Sequence, residues 1–214
     1  MNKVELDELY HNLRELCVTE DTQQKEAVLG ITAHLTNPGG DYIGLLRFLS
    51  YYGENYILPR VLSALRSARI HMERVVEFGA GFGWLGRGIS NANNGMPVVF
   101  IDKRQYVFTD IVADLETVQG RDRVLEQMKD GDLMVMSEFL HCVDNPEKVL
   151  RPFAKWPMLV VEYSSLSSFY MKSYNEQIKR YDCILVPDFR KVFPGRKLSR
   201  YDADPYAILI AEPL

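Results

Sequence analysis

The chain has 214 residues, of which 47% are apolar and 25% charged, a length and balance typical of one soluble globular domain. Its ten Phe and twelve Tyr argue against a disordered chain, and no apolar run approaches the roughly 18 residues that span a bilayer. The net charge of −4 argues against bulk nucleic-acid binding, which usually needs a basic surface. Three widely spaced cysteines without a CxxC pair favour a reducing, cytoplasmic setting, and the histidines show no metal-ligand spacing, so we expect no metal site.

Residues 1–70 follow helical periodicity throughout. In the last helical segment, Asn55 is a candidate N-terminal cap and Pro59 is compatible with the first turn. The apolar residues expected to face inward there are Ile57, Val61, Leu62 and Leu65. We therefore predict an N-terminal helical extension over residues 1–54, acting as a lid, ahead of a domain that covers residues 55–214.

From residue 74 onward, short apolar runs alternate with segments of helical length and pattern. The runs cover residues 75–78, 98–101, 133–136, 159–161, 183–186 and 207–210, and the helical segments include 84–91, 145–154 and 166–180. Strands that alternate with helices form βαβ units, which pack into a mostly parallel sheet with helices on both faces. The sequence therefore predicts one α/β domain after the helical extension.

The sharpest motif is a glycine-rich turn between the first apolar run and the helix after it. It reads Glu77-Phe78-Gly79-Ala80-Gly81-Phe82-Gly83, with a further glycine at position 86. Glycines at alternate positions let the backbone adopt conformations barred to other residues and approach a ligand closely. A helix that begins near Phe82 would direct free N–H groups and the positive end of its dipole at that ligand. Strand-to-helix turns also use glycine structurally, but three alternating glycines after an acid favour a ligand-binding loop.

An acid follows the second apolar run. Asp102 is placed there to accept hydrogen bonds from ribose hydroxyls. Gly81, Gly83 and Gly86 also satisfy the nicotinamide-dinucleotide pattern, but a dehydrogenase needs a further substrate domain and only residues 103–214 remain. The acid at Glu77 suits a ligand with a cationic amino-acid part rather than a pyrophosphate. We therefore favour another cofactor class over a dinucleotide.

These residues resemble the class I S-adenosylmethionine-dependent methyltransferases, whose first motif, acid-x-Gly-x-Gly-x-Gly, is complete from Glu77 to Gly83. The likeness continues over residues 132–150, which resemble the family's fourth strand, the loop beneath the reacting methyl group and the next helix. It covers about residues 55–214 and implies a Rossmann-like, mostly parallel seven-stranded sheet with S-adenosylmethionine as cofactor. The cofactor-binding residues that it implies are Glu77, Phe78, Gly79, Ala80, Gly81, Gly83, Asp102, Lys103, Ser137 and Glu138.

The resemblance also implies where parts of the cofactor lie. Residues 79–81 would pass under its methionine and ribose parts, Asp102 would hold the ribose hydroxyls, and Lys103 would lie beside the adenine. The third strand stays open between two alternatives. Either residues 107–118 form a helix and 123–126 a minimal strand, or 109–114 is the strand and Asp114 is the acid that contacts adenine.

The closing antiparallel hairpin of the family is consistent with residues 183–186 and 206–211, joined by a long loop. That loop would carry a basic run, which consists of Arg190, Lys191, Arg196, Lys197 and Arg200. The run is either a solvated loop or a clamp for an anionic acceptor, for which Arg196 is the candidate. A small RNA-contacting patch is a weaker interpretation.

Methyl transfer is an in-line displacement in which the protein mainly aligns the reacting atoms and excludes water. His141, in the loop after the fourth strand, is the candidate general base, with a packed position at a helix start as the alternative. Glu138 would bind an amine acceptor or the cofactor. Tyr163, at the end of the fifth strand, would line the acceptor pocket or pack at the edge of the core.

The resulting prediction is a cytoplasmic methyltransferase whose acceptor is a small molecule, with an anionic acceptor as one possibility and no membrane or nucleic-acid partner. A lid with aromatic residues fits a small acceptor better than a polymer because it encloses the reacting atoms. Two alternatives stand beside it, and an RNA methyltransferase is a weaker third. One is transfer of the aminopropyl or aminobutanoyl arm of the same cofactor, and the other is a non-catalytic partner subunit that keeps the fold.

Overall fold

A computed structural model describes residues 53–81, 83–106, 108–163, 189–203 and 206–214. The strands are β1 (Arg74–Phe78), β2 (Val98–Asp102), β3 (Ile111–Val112), β4 (Asp132–Ser137), β5 (Met158–Tyr163), β6 (Leu198–Ala203) and β7 (Tyr206–Ala211). The helices are α1 (Leu58–Ala68), α2 (Trp84–Ala92), α3 (Val118–Leu125), α4 (Pro146–Leu150) and α5 (Phe189–Val192). A π-helical turn (Gly53–Ile57) precedes α1, and 3₁₀ turns lie at Leu140–Cys142 and Arg151–Phe153.

The strands form one seven-stranded sheet in the order β3-β2-β1-β4-β5-β7-β6. Strands β1 to β5 pair in parallel, whereas β7 runs antiparallel to both β5 and β6. This arrangement confirms the predicted mostly parallel α/β sheet. The chain order reverses between β1 and β4, and ligands of such sheets bind outside the carboxyl ends of the strands at that position.

Two apolar layers cover the sheet because successive strand residues point to opposite faces. On one face, Val75 of β1 packs with residues of α1 and α2 such as Val61 and Leu85. On the other face, Val76 and Phe78 pack with residues of α3, α4 and α5. Helices therefore cover both faces of the sheet, as the sequence predicts.

Helix α1 begins three residues after the predicted cap. Its N-cap is Ile57, without a side-chain hydrogen bond, and Pro59 lies in its first turn as predicted. Ile57, Val61 and Leu65 are buried and Leu62 is half-buried. The inward-facing residues are confirmed, while the prediction that Asn55 caps this helix is wrong because a π-helical turn already spans residues 53–57.

The position of the third strand decides between the two alternatives that the sequence left open for residues 107–126. Strand β3 lies within residues 109–114 and pairs in parallel with β2, so a helix over residues 107–118 is wrong. The side chain of Asp110 accepts from the Phe100 amide (2.9 Å), and the Ala113 amide donates to the Asp102 carbonyl (2.9 Å). Residues 123–125 end α3 and Glu126 is its C-cap, while Thr117 caps the start of this helix by accepting from the Gly120 amide at 3.0 Å.

The closing hairpin consists of β6 and β7, which are joined by two residues rather than by a long loop. The predicted first strand, at 183–186, lies outside the described residues. The basic run is therefore not one loop, because Arg190 and Lys191 lie on α5 and Arg200 lies on β6. Strand β6 lies at the edge of the sheet and contains polar residues, so it does not form the continuous apolar run on which the strand predictions depended.

The predicted extension up to residue 52 and the predicted helix at 166–180 also lie outside the described residues. Within the described ranges, no helix has the length and apolar character needed to cross a membrane.

An ion pair between the half-buried Arg74 and the buried Asp132 joins β1 to β4 at the amino edge of the sheet. Arg74 donates to both carboxylate oxygens of Asp132, through Nε (2.8 Å) and Nη2 (2.6 Å). The Asp132 side chain is 1% exposed, and its Oδ2 also accepts from the Lys129 amide at 2.6 Å, so Arg74 is its counter-charge within the sheet.

We expect Arg74→Met to lower the free energy of unfolding by about 3–5 kcal/mol, because it leaves a buried carboxylate without its counter-charge. Chemical denaturation measures this change. Arg151→Met is the control, because Arg151 pairs with Glu147 on the surface, and it should cost less than about 1 kcal/mol. Equal losses in both variants would contradict the expectation.

Candidate cofactor site

In the glycine-rich turn after β1, the backbone adopts a conformation that only glycine reaches without strain. Gly79, Gly81 and Gly83 have φ angles of 63°, 52° and 64°, in the left-handed region. The Ala80 amide donates to the Ile101 carbonyl of β2 (3.0 Å), which fixes the turn against the neighbouring strand. The alternating glycines are therefore required by conformation.

The later glycines let α2 lie directly on the sheet. A Cβ atom at Gly83 would lie 2.5 Å from Phe100 Cε1, and one at Gly86 would lie 2.6 Å from Glu77 Oε2. Real Cβ atoms do not approach other atoms so closely, so any larger residue would push α2 away from β1 and β2. Gly86, which the sequence analysis did not include among the site residues, is thus part of the support of the turn.

Most amides of this turn are already bonded within the protein. The amides of Gly81, Gly86 and Arg87 donate to Asp102 Oδ2 (3.0 Å), Glu77 Oε2 (2.9 Å) and the Gly83 carbonyl (3.1 Å). Helix α2 begins at Trp84 rather than near Phe82. Of these three, only the Gly86 amide belongs to the helix positions that lack an intrahelical partner, so the expectation of a free N–H group directed at a ligand is wrong for Gly86.

Asp102 lies beside the glycine turn, as the sequence predicts. It is the last residue of β2, and its second oxygen, Oδ1, accepts from the Arg104 amide at 3.0 Å. A carboxylate has about four lone-pair sites, so each oxygen keeps capacity for a further donor such as a ribose hydroxyl. Lys103 follows it and is exposed.

Glu77 points into the interface between β1 and α2. The residue is 1% exposed, and Oε2 accepts from the Gly86 amide. Burial raises the pKa of the Glu77 carboxyl to about 8, against smaller opposing effects of the Gly86 and Leu85 amides and the charge of Arg87. The structure thus shows a bond to helix α2, and a direct contact of Glu77 with a cofactor remains a prediction.

Phe78 and Ser137 end their strands at the same edge. The Phe78 ring is fully buried against Phe153 on the face opposite Glu77, so only its main chain borders the turn. The Ser137 hydroxyl at the end of β4 is buried, and among the described residues it has no hydrogen-bond partner. A buried hydroxyl without a partner is uncommon and fits a group that bonds to a ligand.

The loop after β4 is held by two residues that the sequence analysis missed. The ring of Phe139 lies on Gly79, where a Cβ atom would come within 2.5 Å of its Cδ2. Glu162 of β5 is 2% exposed and accepts from the Leu140 amide at 3.0 Å. An acid inside the apolar run of β5 was a visible signal for Glu162, whereas nothing in the pattern marked Phe139.

Glu138 adopts an unusual backbone in the same loop. Its φ of 53° is in the left-handed region, which non-glycine residues rarely occupy, and its amide donates to the Val161 carbonyl at 2.9 Å. Strain of this kind concentrates at functional sites. His141 follows in the 3₁₀ turn and Tyr163 ends β5, at the same edge of the sheet, while their side chains lie outside what the structure describes.

Asp114 is exposed just after β3, and its carboxylate accepts from the Glu116 amide at 3.0 Å. Its predicted contact with adenine remains a prediction.

Arg196 lies at the opposite edge of the sheet, near the start of β5 and the end of β7. Its guanidinium donates to three main-chain carbonyls, those of Trp156 (2.6 Å), Ala211 (2.8 Å) and Glu212 (2.6 Å). Desolvation lowers the pKa of Arg196 to about 10. The predicted acceptor clamp at Arg196 does not fit this position, because the side chain fastens the end of the chain to the sheet.

Among the described residues, no group of three or more His, Cys, Asp and Glu side chains could hold a metal ion.

Comparison by sequence finds neither a protein-family model nor a curated protein that matches the chain. Comparison by structure finds many solved relatives. Human N-acetylserotonin methyltransferase in complex with SAM aligns with a TM-score of 0.59 at 12% identity, over 80% of this chain and 55% of that one. The pyocyanin biosynthetic protein PhzM aligns with a TM-score of 0.55 at 16% identity, over 90% and 68% of the two chains.

The plantazolicin methyltransferase BpumL in complex with SAH aligns with a TM-score of 0.55 at 11% identity, over 90% of this chain and 99% of that one. The chain spans only 55% and 59% of the first two solved relatives. Identities this low are evidence of fold rather than of activity. Together with the strand order, they show that the chain has the class I S-adenosylmethionine-dependent methyltransferase fold.

The buried carboxyl of Glu77 predicts a specific pH dependence. Its folded pKa of about 8 lies above the ordinary value of 4.5, so between these values the folded state binds more protons than the unfolded state. The contribution of Glu77 to the free energy of unfolding is therefore fully present below the unfolded pKa, and it is lost as the pH rises through about 8.

We expect the free energy of unfolding of the wild type to fall between pH 5 and pH 8.5 by more than that of Glu77→Gln, with a difference of no more than about 5 kcal/mol. Glutamine cannot ionise, so this contribution is absent from the variant. Denaturant titrations at several pH values measure both profiles. Parallel profiles would contradict a proton on Glu77 in the folded protein.

Proposed function

We propose that the protein is an S-adenosylmethionine-dependent methyltransferase that acts on a small-molecule acceptor. The observation that carries the proposal is the hydrogen bond from the Gly81 amide, in the turn after β1, to Asp102 at the end of β2, beside the point between β1 and β4 where the strand order reverses. This bond connects two parts of the site. The glycine turn lets the backbone approach a ligand closely, and the acid is suited to ribose hydroxyls.

The described residues fit this cofactor. Asp102 would accept hydrogen bonds from the ribose hydroxyls, and residues 79–81 would lie under the methionine and ribose parts. The buried Ser137 hydroxyl, which has no hydrogen-bond partner in the part of the chain that the structure describes, offers one further bond at the same edge. Glu138 would contact the cofactor or an amine acceptor, and Lys103 would lie beside the adenine. When bound, the cofactor supplies an activated methyl group.

The chain's own contribution would be alignment, exclusion of water and, where the acceptor carries a proton, its removal. We assign the general base to His141, whose backbone lies in the 3₁₀ turn at the carboxyl edge. Tyr163, at the end of β5, would line the acceptor pocket. Residues 1–54 as a helical extension and residues 55–214 as the cofactor domain complete the proposal, together with a cytoplasmic location.

The fold neighbours support methyl transfer and a small acceptor. One bears the name of N-acetylserotonin methyltransferase and another that of plantazolicin methyltransferase, and the two structures hold SAM and SAH respectively. Product analysis separates the alternative of aminopropyl or aminobutanoyl transfer, because that reaction releases methylthioadenosine instead of S-adenosylhomocysteine.

Thermal unfolding with S-adenosylhomocysteine tests the proposal. At about 100 times the dissociation constant, binding adds roughly 2.7 kcal/mol, which for a chain of this size raises the midpoint by about 5–11 °C. NAD is the control ligand, and it should leave the midpoint unchanged. A shift with NAD alone, or with neither ligand, would contradict the proposal.

The same assay on Asp102→Ala tests the ribose contact. We expect its affinity for S-adenosylhomocysteine to fall by about 10- to 150-fold, since each charge-assisted hydrogen bond contributes roughly 1.5–3 kcal/mol. Asp122→Ala, at an exposed position of α3, is the control and should bind as the wild type does. Wild-type affinity in Asp102→Ala would refute the assignment.

A further inference from the structure

Helix α2 has no local side-chain cap at its N-terminus, unlike α3 and α4. Thr117 caps α3 and Asn145 caps α4, each by accepting from the amide three residues later, at 3.0 and 2.9 Å. The N-cap of α2 is Gly83, which has no side chain and no capping hydrogen bond. An uncapped first turn leaves amide groups unsatisfied, and this cost is greatest where the turn is buried.

Glu77 occupies the position of the missing cap from outside the helix. It lies on β1, nine residues before Gly86, and Oε2 accepts from the amide of that third helical residue. Trp84, Leu85 and Gly86 are all buried, so water cannot replace this bond. The contact of the carboxyl with Gly86 also explains why glycine stands there, because a Cβ atom would come within 2.6 Å of Oε2.

Few other polar groups surround the Glu77 carboxyl in the described part of the chain. Its neighbours in the paired strands are Phe100 of β2 and Val135 of β4, both apolar. Among the described residues, the charged groups that act on it are Arg87 on α2 and Asp102 on β2, and neither makes a hydrogen bond to it. The bonds to the helix start are thus its main polar interactions.

We propose that Glu77 is a positioning residue, which fixes the first turn of α2, and through it the glycine turn, without contacting the cofactor. This inference rests on the proposed function and refines it, because the sequence analysis placed Glu77 among the cofactor-binding residues. Any acceptor of the right length at position 77 should then serve, whereas a charge is not needed.

The test compares Glu77→Gln with Glu77→Ala, and uses Asn145→Ala as a matched loss of a helix cap away from the glycine turn. We measure the exchange rate of the Gly86 amide by NMR and the affinity for S-adenosylhomocysteine by calorimetry. Glutamine keeps an oxygen acceptor, so Glu77→Gln should bind within about threefold of the wild type. Loss of the acceptor in Glu77→Ala should accelerate Gly86 exchange and weaken binding by about tenfold or more. Asn145→Ala should leave both quantities unchanged.

Two results would overturn the inference. Equal loss of affinity in Glu77→Gln and Glu77→Ala would mean that the charge of Glu77 binds the cofactor. Wild-type affinity in Glu77→Ala would mean that the helix start does not control the turn. If Glu77→Ala does not fold, the affinity of Glu77→Gln alone decides between support and rejection.

Failure of the proposed function gives a different result. A wild-type protein that binds no S-adenosylhomocysteine contradicts that function, and the Gly86 exchange rates are then compared without ligand. Equal rates in the wild type and in Glu77→Ala would overturn the capping role itself.

Discussion

The close approach of helix α2 to strands β1 and β2 is the constraint on which the candidate site depends. Gly83 and Gly86 permit it, because a Cβ atom at either position would collide with Phe100 or with Glu77. With the helix at this distance, the Glu77 carboxyl reaches the Gly86 amide and Asp102 reaches the Gly81 amide. The turn between β1 and α2 is therefore fixed by two acids: Glu77 binds the helix start at Gly86, and Asp102 binds the turn at Gly81.

The sheet order gives this turn its chemical meaning. After β1 the chain adds strands on one side, and from β4 onward it adds them on the other side, although β1 to β5 are all parallel. The loops after β1 and β4 therefore separate and leave a crevice at the carboxyl edge of the sheet. Asp102, Ser137 and the Glu138 backbone all lie at this edge, whereas Arg196 lies at the other. Contacts such as that of Phe139 with Gly79 link the loop after β4 to the glycine turn. The structure thus brings the cofactor-binding candidates of β1, β2 and β4 to one place.

The sequence alone was sufficient for β1, β2, β4, β5 and β7 and for the glycine turn, because buried strands are continuous apolar runs and because left-handed turns demand glycine. It was insufficient where a segment is short or polar. Strand β3 has only two residues and is fixed by the hydrogen bonds of Asp110 and Ala113 to β2. Strand β6 is an edge strand with polar residues. The role of Arg196 depends on carbonyls 15 to 40 residues away in sequence, which no local pattern reveals.

In the proposed function, the glycine turn and Asp102 together bind S-adenosylmethionine. A crystal structure of the protein in complex with S-adenosylhomocysteine is the decisive measurement for this binding mode. We expect the ligand at the carboxyl edge of β1 and β2, with its ribose hydroxyls bonded to Asp102 and its amino-acid part over residues 79–81. A ligand bound elsewhere on the sheet, or ribose hydroxyls without contact to Asp102, would contradict it.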